Sequence, residues 1–155
     1  MAKNKRWELV VFDVSGTLQE SDPTSPLYPH VWDALVQLKE RGVKVALATN
    51  LSIRGLEMFF ECHPDVRGLV DSYSCAGLAS PKPSSDMMEL ILLEHDVGKK
   101  DVLMVGDTEA DVWFAKNAGV ACCFVDWVGR TNHCGEISEF RAFNKEELFK
   151  ALNLS

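Results

Sequence analysis

The sequence predicts a doubly wound α/β domain, a three-layer Rossmann-like fold with helices on both faces of a parallel sheet. Three observations predict it. Short apolar runs rich in β-branched residues read as strands covered on both faces, amphipathic segments alternate with them, and each strong run ends at a chemically capable residue.

The first strand is Leu9-Val10-Val11-Phe12, which runs into Asp13. Residues 19–29 read as a polar, proline-containing loop. Val31, Leu35 and Leu38 then repeat at i, i+4 and i+7, which predicts a helix that Gly42 stops. The second strand is Val43-Lys44-Val45-Ala46-Leu47-Ala48, followed by Thr49. Residues 50–80 have room for a helix, a short strand and loops, with Leu69-Val70 as the strand candidate. Met87, Leu90 and Ile91 give a helix face before Gly98. The third strong strand, Val102-Leu103-Met104-Val105, leads into Gly106-Asp107, and Ala110, Phe114 and Ala118 predict a helix that Gly119 ends. Ala121 to Val125 is a weaker strand. Residues 128–143 carry no readable pattern, and Asn144 with Glu147 reads as the N-cap and partner of a last helix. Strands alternating with helices imply right-handed crossovers.

A length of 155 residues, without internal repeat or linker, is expected to form one domain over 1–155. The formal net charge of −7 argues against broad nucleic-acid or anionic-membrane binding, since both need surplus Lys and Arg. No apolar run suits a membrane span and no signal peptide is expected, and the cysteine pattern that follows fits a reducing, cytoplasmic setting. Five cysteines are an odd number, and Cys122 adjoins Cys123, unlike a disulfide framework. Cys62-His63 and His133-Cys134 lack the paired spacing of a zinc site, which favours incidental thiols.

Asp13, Thr49 and Asp107 each follow a strong strand, where open α/β sheets bind ligands. One such residue is more readily a loop or helix cap; three from different strands suggest a site. Asp13 opens Asp13-Val14-Ser15-Gly16-Thr17-Leu18, whose Gly16-Thr17 pair permits a tight turn with N–H groups facing an anion. The acids of Gly106-Asp107-Thr108-Glu109-Ala110-Asp111 suit a helix's first turn, and beside Asp13 they suit a hard cation. Lys82, between Pro81 and Pro83, reads either as a stiffened surface lysine or as a point charge for phosphate.

These motifs together resemble the haloacid dehalogenase superfamily, most of whose members are phosphatases. The similarity runs from Trp7 to about Trp127, through Asp13–Leu18, Ala48-Thr49-Asn50, Pro81-Lys82-Pro83 and Gly106–Asp111. From Pro81 to Gly119 it is nearest the phosphoglycolate-phosphatase-like branch. The resemblance implies that Asp13 attacks phosphorus and becomes an aspartyl-phosphate. It implies Mg²⁺ held by Asp13, the Ser15 backbone carbonyl and Asp107, with Asp111 orienting metal-bound water. Gly16, Thr49, the Asn50 backbone and Lys82 would grip the phosphoryl group.

Two departures from the family pattern stand out. Ser15 occupies the position that usually carries an acid/base aspartate, and such catalysis is typically worth about 10²- to 10⁴-fold. Neither usual insertion point has room for a cap domain, so an open site is expected. An open site suits a macromolecular substrate, or a small one enclosed by a partner subunit of a homo-oligomer, and the acidic balance favours a small phosphate ester. A phosphorylated macromolecule as substrate, or a catalytically weakened Mg²⁺/phosphate-binding regulatory module, are the alternatives.

Overall fold

The computed structural model describes residues 7–22, 24–129 and 137–155. Six strands form one all-parallel sheet: β1 (Leu9–Phe12), β2 (Lys44–Thr49), β3 (Ser72–Cys75), β4 (Val102–Gly106), β5 (Ala121–Val125) and β6 (Phe140–Ala142), in the spatial order β3-β2-β1-β4-β5-β6. The helices are α1 (Pro29–Glu40), α2 (Ile53–Cys62), α3 (Pro64–Arg67), α4 (Asp86–His95), α5 (Glu109–Ala118) and α6 (Lys145–Leu152).

The sheet separates two apolar layers. Val10 and Phe12 of β1 join Leu35 and Leu38 of α1, Phe59 of α2 and Leu148 of α6 in one layer. Leu9 and Val11, pointing the other way, join Met88 and Ile91 of α4 and Phe114 of α5. Alternation along one fully buried strand thus feeds both cores, which is why β1 reads as continuously apolar.

Local signals start and stop the helices. Pro29 sits in the first turn of α1, Ser52 caps α2 by accepting from Gly55 N, and Asn144 caps α6 by accepting from Glu147 N at 2.9 Å. Glu147 reaches back to Phe143 N. Gly119 ends α5 at φ 79°, in the left-handed region that glycine enters at little cost.

Several expectations need correction. The strand after α3 is Ser72–Cys75, not Leu69-Val70: its serines break the apolar pattern, yet Ser72 and Ser74 are buried and Ser72 Oγ meets His95 Nε2 at 2.7 Å. Helix α4 ends at His95 through the left-handed Asp96, before Gly98, and buries Met88 and Leu92 while Leu90 stands half exposed. The unreadable stretch contains β6, a short edge strand with only Ala142 buried. Residues 50–80 contain two helices, α2 and α3, ahead of the short strand β3, where one helix and a strand were expected. Among the described residues no helix is long and apolar enough to cross a membrane.

Candidate active site

The chain order reverses between β1 and β4, so the loops leaving these strands diverge and open a crevice at their carboxyl ends. Asp13 leaves β1 there, with its N–H on Val105 O at 2.9 Å. Thr49 ends β2, and Asp107 follows β4. A cavity of about 300 Å³ is lined by Asp13, Ser15, Thr49, Asn50, Lys82 and Thr108, together with Leu51 and Ala110.

Lys82 is the hub. Its Nζ donates to Asp13 Oδ1 at 2.8 Å, to Asp111 Oδ1 at 2.6 Å and to the carbonyl of Ala48 at 2.8 Å, and only 6% of the residue is exposed. All three ammonium protons are thereby placed. Of the two sequence readings, the surface lysine is ruled out. Burial opposes the charge on Lys82, but Asp13 and Asp111 outweigh it and its pKa is raised. Asn50 holds the same residue by its backbone: Lys82 N donates to Asn50 Oδ1 at 2.8 Å and Asn50 Nδ2 donates to Lys82 O at 3.1 Å. The Asn50 side chain therefore serves to fix the Lys82 loop.

Asp111 is fully buried. Its Oδ2 accepts from the N–H groups of Asp107 and Thr108, each at 3.1 Å, and from Thr108 Oγ1 at 2.9 Å. Thr108 returns the bond as N-cap of α5, completing a capping box. One carboxylate thus caps a helix, orients the Asp107 backbone and anchors Lys82. A side chain on Gly106 would collide with the Asp111 carboxylate, so the glycine before Asp107 is what lets the loop close this tightly.

Gly16 stands in the left-handed region at φ 81°, and a Cβ there would strike the carboxylate of Asp107. The turn is clamped from several directions. Gly16 N donates to Gln19 O at 2.6 Å, Trp127 Nε1 donates to Thr17 O at 2.9 Å, and Thr17 Oγ1 donates to Asp107 Oδ1 at 3.3 Å. Gln19, read from sequence as part of a polar loop, is 1% exposed and pairs through Oε1 with His63 Nε2 at 2.8 Å. No local pattern marked Gln19 or Trp127, because their partners lie far off in sequence. Ser15 is half-buried beside Asp13 in the cavity lining. Thr49 Oγ1 accepts from Leu51 N at 3.1 Å, leaving its hydroxyl proton available.

Asp13, Asp107 and Asp111 each offer an oxygen within 4.8 Å of the others. Burial, first of all, raises the pKa of each, and neighbouring carboxylates add to the shift; Asp111 reaches about 6. Such crowding is relieved by a proton or by a cation. Both Asp111 oxygens are engaged by Lys82 and the start of α5, and the absent side chain at Gly16 lets the Asp107 carboxylate lie against the turn.

The cysteines stand apart from this chemistry. Burial pushes the Cys123 thiol up to about 12 and keeps it protonated, while Cys62 is exposed and its neighbour His63 is spent on Gln19. His133 and Cys134 lie outside the described residues.

An all-parallel α/β sheet with acids and one buried lysine gathered at its carboxyl edge defines a Rossmann-like protein with a charged cluster at the topological switch point. The chain belongs to the haloacid dehalogenase-like hydrolase family, whose model matches residues 19–119. Its similarity within the family is to phosphoglycolate phosphatases. It is 32% identical over 103 residues to phosphoglycolate phosphatase of Vibrio parahaemolyticus, covering 66% of this chain and 45% of that protein. It is 31% identical over 123 residues to phosphoglycolate phosphatase 1 of Pseudomonas aeruginosa, covering 77% and 43%. The matched region thus spans less than half the length of these relatives. A haloacid dehalogenase phosphatase of Thermococcus onnurineus superposes with TM-score 0.83 at 15% identity, over 94% of this chain and 97% of that one, and shares the fold.

Proposed function

We propose that the chain is a Mg²⁺-dependent phosphatase that hydrolyses a phosphate monoester through an aspartyl-phosphate on Asp13. The observation that carries this reading is the buried Lys82 ammonium, 2.8 Å from the Asp13 carboxylate at the wall of an open cavity. A carboxylate attacking a phosphate dianion meets charge repulsion, and an adjacent fixed cation offsets it.

An Asp13 oxygen forms the new bond to phosphorus as the ester P–O bond breaks, and water then cleaves the acyl-phosphate to regenerate Asp13. Thr49 Oγ1, the Asn50 backbone and the turn at Gly16 orient the phosphoryl oxygens. Lys82 neutralises charge, held in place by Asp111 and Asn50. Mg²⁺ on Asp13 and Asp107, with the Ser15 carbonyl, would supply a second positive charge against the phosphoryl oxygens. Ser15 offers a hydroxyl where a carboxylic acid would be the stronger proton donor. Phosphate release from p-nitrophenyl phosphate with and without Mg²⁺ tests the reading: turnover that requires the metal supports it, and none under either condition rejects it.

A further inference from the structure

The turn after β1 is held by a chain of hydrogen bonds that starts at the far end of α2. Gly16 N donates to Gln19 O at 2.6 Å and Gln19 N donates to Val14 O at 3.5 Å, so Gln19 pairs with Ser15 as an isolated parallel bridge. A trans peptide points its C=O and its N–H in opposite directions. With the Gly16 N–H turned onto Gln19, the Ser15 carbonyl points away from Gln19. Ser15 lines the cavity with Asp13. The direction of its carbonyl is therefore set by where Gln19 sits.

Gln19 is 1% exposed, and its Oε1 meets His63 Nε2 at 2.8 Å. The same nitrogen lies 3.0 Å from the carbonyl of Ser25. A carbonyl only accepts, so Nε2 carries a hydrogen and donates to Gln19 as well. The His63 ring is fixed in turn. It packs at 5.1 Å on the ring of Phe59, which has no exposed surface. Its backbone is bonded on both sides, with His63 N donating to Phe59 O at 2.9 Å and His63 O accepting from Val66 N at 3.0 Å. Helix α2 starts at its cap Ser52, just past the Thr49-Asn50-Leu51 loop. His63 thus ties the helix that leaves β2 to the turn that leaves β1, 44 residues away. A buried amide needs a partner wherever it lies. This one differs because the backbone carbonyl of the same glutamine holds the Gly16 N–H.

We propose that His63 is a positioning residue for the cation site: by donating to Gln19 it fixes the Ser15 carbonyl toward a cation on Asp13 and Asp107. The inference rests on the Mg²⁺ role given to that carbonyl in the phosphatase reading. It adds a residue that is not among the described residues lining the cavity, yet on which metal affinity depends.

His63→Leu keeps an apolar side chain against Phe59 and removes the donor, whereas His63→Gln retains a side-chain N–H. Calorimetric titration of Mg²⁺ into each folded protein is expected to show His63→Leu binding about tenfold more weakly, the low end of the cost of losing a group behind a metal ligand. His63→Gln should stay within about threefold of the parent. Gln19→Met removes the acceptor from the other end of the bond and should cost the same factor, with the double variant losing no more than either single one. Unchanged Mg²⁺ affinity in His63→Leu or in Gln19→Met overturns the assignment, as does an equal loss in His63→Gln or a parent chain that binds no Mg²⁺. A kinetic arm separates positioning from general loss of packing: the Mg²⁺ concentration for half-maximal turnover should rise about tenfold in His63→Leu while kcat at saturating metal stays within about twofold. A fall in kcat with an unchanged metal requirement overturns it. Mg²⁺ binding that depends on His63 in a chain without turnover would reject the phosphatase reading and keep the brace.

Discussion

Lys82 and Asp13, 69 residues apart in the chain, meet as a buried ion pair at 2.8 Å. The same ammonium binds Asp111 at 2.6 Å, so one cation is shared by two carboxylates. Removing one partner of a buried pair costs more than the pair itself contributes, because the remaining charge is left in a poor solvent.

Lys82→Met is accordingly expected to destabilise the metal-free protein by about 3–5 kcal/mol near neutral pH. Adding Asp111→Asn to that variant should recover part of the loss, since it removes the most deeply buried unpaired charge. Urea unfolding of the single and double variants measures both. A single variant as stable as the parent would show that the pair carries no structural weight.

Asp13→Asn tests the nucleophile. An amide of the same shape keeps the packing but does not attack phosphorus to give a stable acyl-phosphate. Turnover is expected to fall by roughly 10³-fold or more, the scale on which a covalent catalytic group acts. The thermal midpoint should fall modestly, because Lys82 loses one of its two carboxylate partners and keeps Asp111. Near-normal turnover would assign the chemistry to another residue.

The pH dependence has a definite sign. Burial first, then neighbouring carboxylates, raise the pKa of Asp13 and Asp107, and Asp111 rises from 3.8 to about 6. The folded, metal-free state therefore holds protons that the unfolded chain has released. The stability this gives is fully present below about pH 3.8 and is lost as pH rises through about 6. A bound cation replaces those protons, so Mg²⁺ should raise the melting temperature more at pH 7.5 than at pH 5, with proton release on binding. Melts at both pH values, and calorimetry in buffers of different ionisation enthalpy, check this. A metal-induced shift independent of pH would remove the carboxylates from the metal site.

Ser15 sets a leaving-group dependence. With a hydroxyl in place of a carboxylic acid, a departing alkoxide takes its proton from water, and the penalty grows with its basicity. Aryl phosphates should react well and simple alkyl phosphates poorly. Ser15→Asp is expected to raise kcat/KM for alkyl esters by about tenfold or more over its effect on aryl esters, within the range of general acid catalysis. Parallel plots of log kcat/KM against leaving-group pKa for the two proteins would place the proton donor elsewhere.

The sequence by itself determined the architecture. The apolar runs at Leu9–Phe12 and Val102–Gly106 are buried on both faces and had to be central parallel strands, and Asn144 and Gly119 act as the helix cap and stop they resembled. It also marked Asp13, Thr49, Lys82 and Asp107, because strand ends and turn motifs are local patterns. The serine-bearing β3 and the edge strand β6 escaped, since short strands are held by pairing with a neighbour and need no apolar period of their own. Only the tertiary structure decided what Lys82 touches, that Asn50 uses its side chain on the Lys82 backbone, and that both Asp111 oxygens are engaged. It alone brought Gln19 to His63 and Trp127 to Thr17. The physical reason is range: helix caps and hydrophobic periods act over a few residues, whereas a buried charge is partnered by whatever the fold carries to it.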